Sequence, residues 1–166
     1  MDTPSPSPIG PEQAELMGRR VSIVVGSRDA ALRPHLMRAV GCMLGADRRQ
    51  VTVLIAQRGA ESVLADLRAN GHIAVVFSEP TTHRTLQLKG DDAQVLPCGQ
   101  DGVAVAERHL GRFIDELAVL GFGAHVARAV LARDGGLLAL RFTVREAYEQ
   151  TPGPQAGSAL HAGGPA

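Results

Sequence analysis

Apolar and polar positions alternate along this chain in short bursts, and the period of the pattern changes from one burst to the next. Residues 20–26, RVSIVVG, are short and β-branched and read as a strand. The connector SRDAALRP leads to residues 35–44, which read as a second strand, although AVGCMLG within it fits a buried helix as well. Gly45 to Arg49 supplies hairpin-turn chemistry. Residues 50–56, QVTVLIA, then place Val51, Val53 and Ile55 on one face of a third strand. The period lengthens over residues 60–69, where Val63, Leu64 and Leu67 form a helical stripe that stops at Asn70-Gly71. Residues 72–78, HIAVVFS, are almost wholly apolar and predict a strand buried on both faces. After the turn signal Glu79-Pro80, residues 83–96 read as a strand. Arg84, Leu86 and Leu88 fall on one side of it, and His83, Thr85, Gln87 and Lys89 on the other.

A long helix is predicted over residues 103–120, with Val103, Ala106, Leu110, Phe113, Ile114, Leu117 and Leu120 at helical spacing. Gly121 and Gly123 break it, a short helix covers residues 124–132, and Asp134-Gly135-Gly136 ends that. Residues 137–144 form the last strand, with Leu138, Leu140, Phe142 and Val144 on one side. The order is βββαββααβ. Three strands before any helix disfavour a doubly wound parallel sheet. The pattern predicts an α+β protein: an antiparallel sheet or barrel with helices packed outside.

Composition trims the ends. Residues 1–15 begin rich in Pro and Ser, and residues 151–166 are rich in Gly, Pro and Ala, so both are expected as loose tails around a domain over residues 16–150. The opening MDTPSPSPIGP has neither a basic nor an apolar leader region, which predicts a cytoplasmic protein. Seventeen basic and seventeen acidic side chains balance, which argues against nucleic acid or anionic membrane as a partner. Aromatic residues are 3 % and Trp is absent, so base-stacking platforms are not expected. Cys42 and Cys98 make no CxxC pair and are expected as buried free thiols, a bridge between them being the alternative.

Candidate chemistry is sparse. The six histidines show no HxH or HExxH spacing, so no metal site is predicted, and His109 reads as a helix-surface residue. No nucleophile elbow or Gly-rich phosphate fingerprint is present. From the residues alone, Arg38 reads as the partner of an acid such as Asp29 or Asp47. Arg58 stands at the entrance of the first predicted helix, where free N–H groups and a positive dipole end favour an anion.

The run PHLMRAV, VTVLIA, a helix, HIAVVF and then HRTLQLKG resembles the pyridoxamine 5′-phosphate oxidase-like superfamily over residues 19–150. The strand from Arg84 to Gly90 is its most specific piece, and the ending REAYEQTPGPQAG is similar to that of short members. The resemblance implies an FMN-binding split barrel, a homodimer with cofactor sites at the subunit interface, and a flavin-dependent oxidoreductase acting on a small molecule. It also implies roles for individual residues. Arg38 lies beside the flavin, Ala39 and Val40 offer backbone groups to its ring edge, and Val53 and Leu54 belong to a strand lining the cofactor. Arg58, with Ser62 as a second donor, binds the phosphate. Thr85 takes the place of a flavin-contacting glutamine, with Gln87 and Lys89 further along the same face. Glu61 is acidic beside the implied phosphate, and the family's Trp-containing C-terminal segment is absent, so the vitamin B6 oxidase itself is not implied. A flavin or haem carrier and a cofactor-free dimeric scaffold are the alternatives on the same fold.

Overall fold

In the computed structural model, which describes residues 7–161, one antiparallel sheet carries four helices. The elements are α1 (Pro11–Met17), β1 (Ser22–Arg28), β2 (Pro34–Leu44), β3 (Gln50–Ala56), α2 (Glu61–Asn70), β4 (Ile73–Ser78) and β5 (Thr85–Gly90). They continue with β6 (Gln94–Pro97), α3 (Gln100–Val119), α4 (Ala124–Val130), β7 (Leu137–Thr143), β8 (Glu146–Glu149) and β9 (Ala159–Leu160). The strand order is β6-β7-β3-β2-β1-β4-β5-β8-β9, open at both ends. The fold class is the one expected: antiparallel, split-barrel, with helices outside.

The expected strand over residues 83–96 is broken after Gly90. Residues 85–90 pair with β8 (Leu86 opposite Glu149, Lys89 opposite Glu146), and residues 94–97 pair with β7 (Gln94 opposite Arg141, Pro97 opposite Leu138). The same register runs through both pairings, so the two segments are one bent ribbon that crosses from one end of the sheet order to the other. At the bend the Thr143 N–H donates to Asp92 Oδ1 (2.8 Å), and the Arg145 N–H donates to the Lys89 carbonyl (2.9 Å). Gly90 is there because nothing larger fits: a Cβ would lie 2.6 Å from Phe142 Cδ2 and 2.8 Å from the Thr143 carbonyl oxygen. Gly90→Ala is expected to cost about 1–3 kcal/mol through overpacking, read as a lower urea midpoint at unchanged slope.

Inside the barrel, alternate residues of every long strand meet. Ile23, Val25, Val51, Val53, Ile55, Val75, Phe77, Leu86, Leu88 and Phe142 are all buried there, with Val63, Leu64 and Leu67 of α2. Ile9, Leu16 and Met17 join the same core, so residues 7–15 are not the loose tail expected of them. Pro/Ser composition hid a seven-residue helix whose start is marked by Pro11 at its first turn, a position where Pro costs no hydrogen bond. Residues 151–160, expected as part of a flexible end, likewise lead into β9 and close the β8–β9 hairpin. The tails expected at residues 1–6 and 162–166 lie outside the described residues.

A second core lies outside the barrel, where α3 and α4 cover Val40, Leu54 and Ala139. A β-bulge between Ala39 and Gly41 makes this possible. Ala39 packs with the inner core, Val40 and Gly41 both lie under α3, and Cys42 returns to the inner side. The stripe of α3 is rotated from the predicted one: Gly102, Ala106, His109, Phe113, Glu116 and Leu117 are buried, whereas Val103 and Leu120 are exposed.

β4 departs from expectation in a way that bears on function. Ile73, Val75 and Phe77 are buried, but Ala74, Val76 and Ser78 are only half-buried. α3 packs along β2, and the outer side of β1, β4 and β5 stays half open. Among the described residues, no helix is long and apolar enough to cross a membrane.

Candidate functional site

The open face is ordered in cross-strand rows. In the first, Ser22 of β1 stands opposite Ser78 of β4, and Ser78 opposite Thr85 of β5. Ser78 Oγ and Thr85 Oγ1 hydrogen-bond at 2.9 Å, and Arg38 Nη1 donates to Ser22 Oγ. A guanidinium and three hydroxyls thus form one polar line across four strands. The second row is Arg38, Val24, Val76, Gln87 and Tyr148; the third is Leu36, Gly26, Ala74, Lys89 and Glu146. Gln150 Nε2 donates to Gln87 Oε1 (3.2 Å), and the Lys89 ammonium lies 4.6 Å from the centre of the Tyr148 ring.

Four of the residues singled out from the sequence therefore share this face: Arg38, Thr85, Gln87 and Lys89. Arg38 takes neither acidic partner considered for it. Asp29 pairs with Arg33, whose backbone and guanidinium hold that carboxyl below its usual range, and Asp47 accepts the Arg49 N–H inside the β2–β3 turn. Thr85 is fixed from both sides, because its N–H donates to Thr151 Oγ1 (3.0 Å).

The other six lie elsewhere. Ala39 and Val53 are buried in the barrel interior, and Val40 and Leu54 under α3, so no side chain of these four reaches the open face. Arg58 and Ser62 flank the start of α2 and are exposed; the Arg58 guanidinium sits 3.7 Å from the Asp134 carboxylate. An anion there competes with a carboxylate already in place.

Buried polar groups that the sequence reading passed over hold the frame. Asp66 of α2 accepts from Ser27 Oγ (2.7 Å) and pairs with His35 Nδ1 (2.7 Å), and the Ser27 bond, then the His35 bond, keeps its carboxyl below the usual range. Its position three after Val63 puts it on the buried stripe, a signal readable from spacing. Glu79 is buried against Arg19 (3.2 Å) and Thr82 Oγ1 (2.6 Å), and Glu116 accepts the Thr81 N–H (2.8 Å). Together they clamp the turn that delivers Thr85.

His109 is buried, contrary to its expected place on the helix surface. It stacks on Phe113, and its Nε2 has no hydrogen-bond partner. Burial, helped by the nearby Arg112 charge, pulls it down to about 4, so the ring is neutral at neutral pH. Cys42 and Cys98 are free and sit against different cores; burial pushes the Cys42 thiol up to about 12, which leaves it unreactive. No group of three His, Cys, Asp or Glu that could hold a metal ion occurs among the described residues.

No family model matches the chain, and no curated protein matches it by sequence. Solved structures do. HupZ of Group A Streptococcus is 17 % identical over 90 % of this chain and 99 % of its own, with a TM-score of 0.55. An F420 reductase is 10 % identical over 84 % of this chain and 98 % of its own, at 0.57. A pyridoxamine 5′-phosphate oxidase-related, FMN-binding protein of Nostoc punctiforme is 12 % identical over 89 % of this chain and 87 % of its own, at 0.50. In its split-barrel fold, an open nine-strand antiparallel sheet with outer helices, the chain is similar to these solved structures.

Proposed function

We propose that this chain is a homodimeric flavin-binding protein that holds FMN on the open sheet face and serves a flavin-dependent redox reaction of a small molecule. The observation that carries the proposal is the face itself. Its centre, Val24 and Val76, is apolar and half-buried, and its border is a line of donors running from Arg38 through Ser22 and Ser78 to Thr85. An apolar strand face with no helix of its own chain above it is suited to a second subunit. FMN-binding and reductase proteins among the structural neighbours support the cofactor class.

The residues present fit a flavin in kind. The ring system offers carbonyl and nitrogen acceptors at one edge, which a guanidinium, hydroxyls and the Gln87 amide can meet. Arg38 is exposed and already oriented by Ser22, so its remaining N–H groups are free to donate toward the face. A positive charge there favours an anionic ring by Coulombic attraction. Bound flavin supplies the electron transfer; the side chains bind, orient and exclude water. For the phosphate, Arg58 and the exposed start of α2 are the group available, with Asp134 to be displaced.

Flavin fluorescence quenching on titration with FMN tests this reading. Arg38→Ala is expected to weaken binding by about 1.5–3 kcal/mol, the range for a hydrogen bond to a charged group. A purified protein that is monomeric by light scattering and leaves FMN fluorescence unquenched would overturn it.

A further inference from the structure

At the Lys89 end of the open face lies a cleft of about 570 Å³ that the flavin reading does not use. That volume is within the range of small-molecule sites, roughly 300–1,000 Å³. Pro34, Leu36 and Ala74 make its sides apolar. Gly26 makes room for one of them: Leu36 leans across it, and a Cβ on Gly26 would fall 3.1 Å from Leu36 Cδ2. Leu36 nevertheless remains 71 % exposed, an apolar side chain with nothing above it.

Charge on the rim is unevenly matched. The two carboxylates already have partners: Asp91 pairs with Arg145, and Glu146 accepts the Tyr148 hydroxyl. Among the described residues, neither Arg28 nor Lys89 pairs with a carboxylate: Arg28 donates to the Asp29 carbonyl (3.4 Å), and Lys89 lies over the Tyr148 ring. Glu146 is the direct cross-strand neighbour of Lys89, yet no ion pair between them occurs within 4.0 Å. The register places the two cations apart in a defined way. Arg28 stands two residues beyond Gly26 on the same face of β1, and Lys89 is opposite Ala74 on β5. Their backbones are separated by two strand spacings and a two-residue offset along the strand, roughly 12 Å in all. One ligand with an apolar body lying on Leu36 and Ala74 spans that gap.

We infer that this cleft is a binding site for a small organic anion, a carboxylate or phosphate ester on a compact apolar body, held between Arg28 and Lys89. Buried apolar contact supplies affinity, and the two cations supply selectivity for the anion over its neutral isostere. The cleft shares no side chain with the flavin reading, whose nearest group on β5 is Gln87, two residues before Lys89.

The test is amide chemical-shift mapping on the isotopically labelled full chain with 2-naphthoate as the anionic probe and 2-naphthamide as its neutral counterpart. The expected result is saturable shifts at Gly26, Ala74 and Lys89, with the amide binding at least about tenfold more weakly. The double variant Arg28→Gln, Lys89→Gln should lose a similar factor for the acid while keeping the amide's affinity. Its own spectrum reports whether it folds. Equal binding of acid and amide, shifts confined to other surfaces, an unchanged double variant, or no shift up to the probe's solubility would each overturn the inference. FMN quenching, measured in parallel, reads the other site separately.

Discussion

Phe77→Ala is expected to lower the stability of the protein by about 3–5 kcal/mol, the range for deleting a fully buried aromatic side chain. Phe77 is fully buried and lies between Ile23 and Leu86, its cross-strand partners on either side, so the inner wall cannot close over the vacated space without shifting two strands. Native domains have only about 5–15 kcal/mol in reserve. The variant should therefore lose a large share of its urea midpoint. Val76→Ala, one residue away on the outer face, is the control. It leaves the barrel interior untouched and should cost little in the isolated chain, but it should weaken any dimer formed through that face. Equal losses from the two variants would contradict the inside–outside assignment of β4.

Acid should destabilise the protein in two separate steps, and the upper one belongs to His109. The unfolded chain binds a proton near the ordinary histidine value of 6.5, whereas the buried ring resists it down to about 4. The unfolded state thus holds more protons throughout that window, so stability falls as pH drops through it. The full effect is on the order of 3 kcal/mol, since each unit of displacement corresponds to about 1.4 kcal/mol. Asp66 acts lower down. Its carboxyl is depressed in the fold by Ser27 and His35, so its contribution is present above the ordinary carboxylate range and is lost as pH falls through its folded value. Denaturation midpoints measured against pH separate the two. His109→Gln should flatten the upper limb and leave the lower one; Asp66→Asn should do the reverse. An unchanged upper limb in His109→Gln would remove the histidine from the account.

Much of the frame was readable because strand and helix periods differ. The alternation in QVTVLIA and TLQLKG placed the inward residues correctly, and Gly45 to Arg49 did form the β2–β3 turn. What composition hid were elements stabilised by tertiary burial. Seven residues of α1 make no stable helix alone, and Leu16 and Met17 hold it only because the barrel end is there to receive them. The bend after Gly90 was invisible for a similar reason: it answers Phe142, fifty-two residues along the chain. In α3, reading only apolar residues rotated the stripe, since His109 and Glu116 are polar and buried. The candidate site was half legible. Alternation put Thr85, Gln87 and Lys89 on one face, but only the β1–β2 and β1–β4 registers show that Arg38 joins them. The Arg28–Lys89 cleft draws on five strands, β1, β2, β4, β5 and β8, and had no local signature.

The bent ribbon also sets the order in which the chain can assemble. The sheet from β1 to β3 uses neighbours that are close in sequence, whereas β7 must find β3 after the whole stretch of residues 57–136 has been made. Closing so long a loop costs entropy before any pairing offsets it, so the β3–β7 pairing is expected to follow formation of the β1–β3 meander. Destabilising changes in β7 and β8 should therefore speed unfolding and leave the refolding rate nearly untouched, and those in the β1–β3 meander should slow refolding.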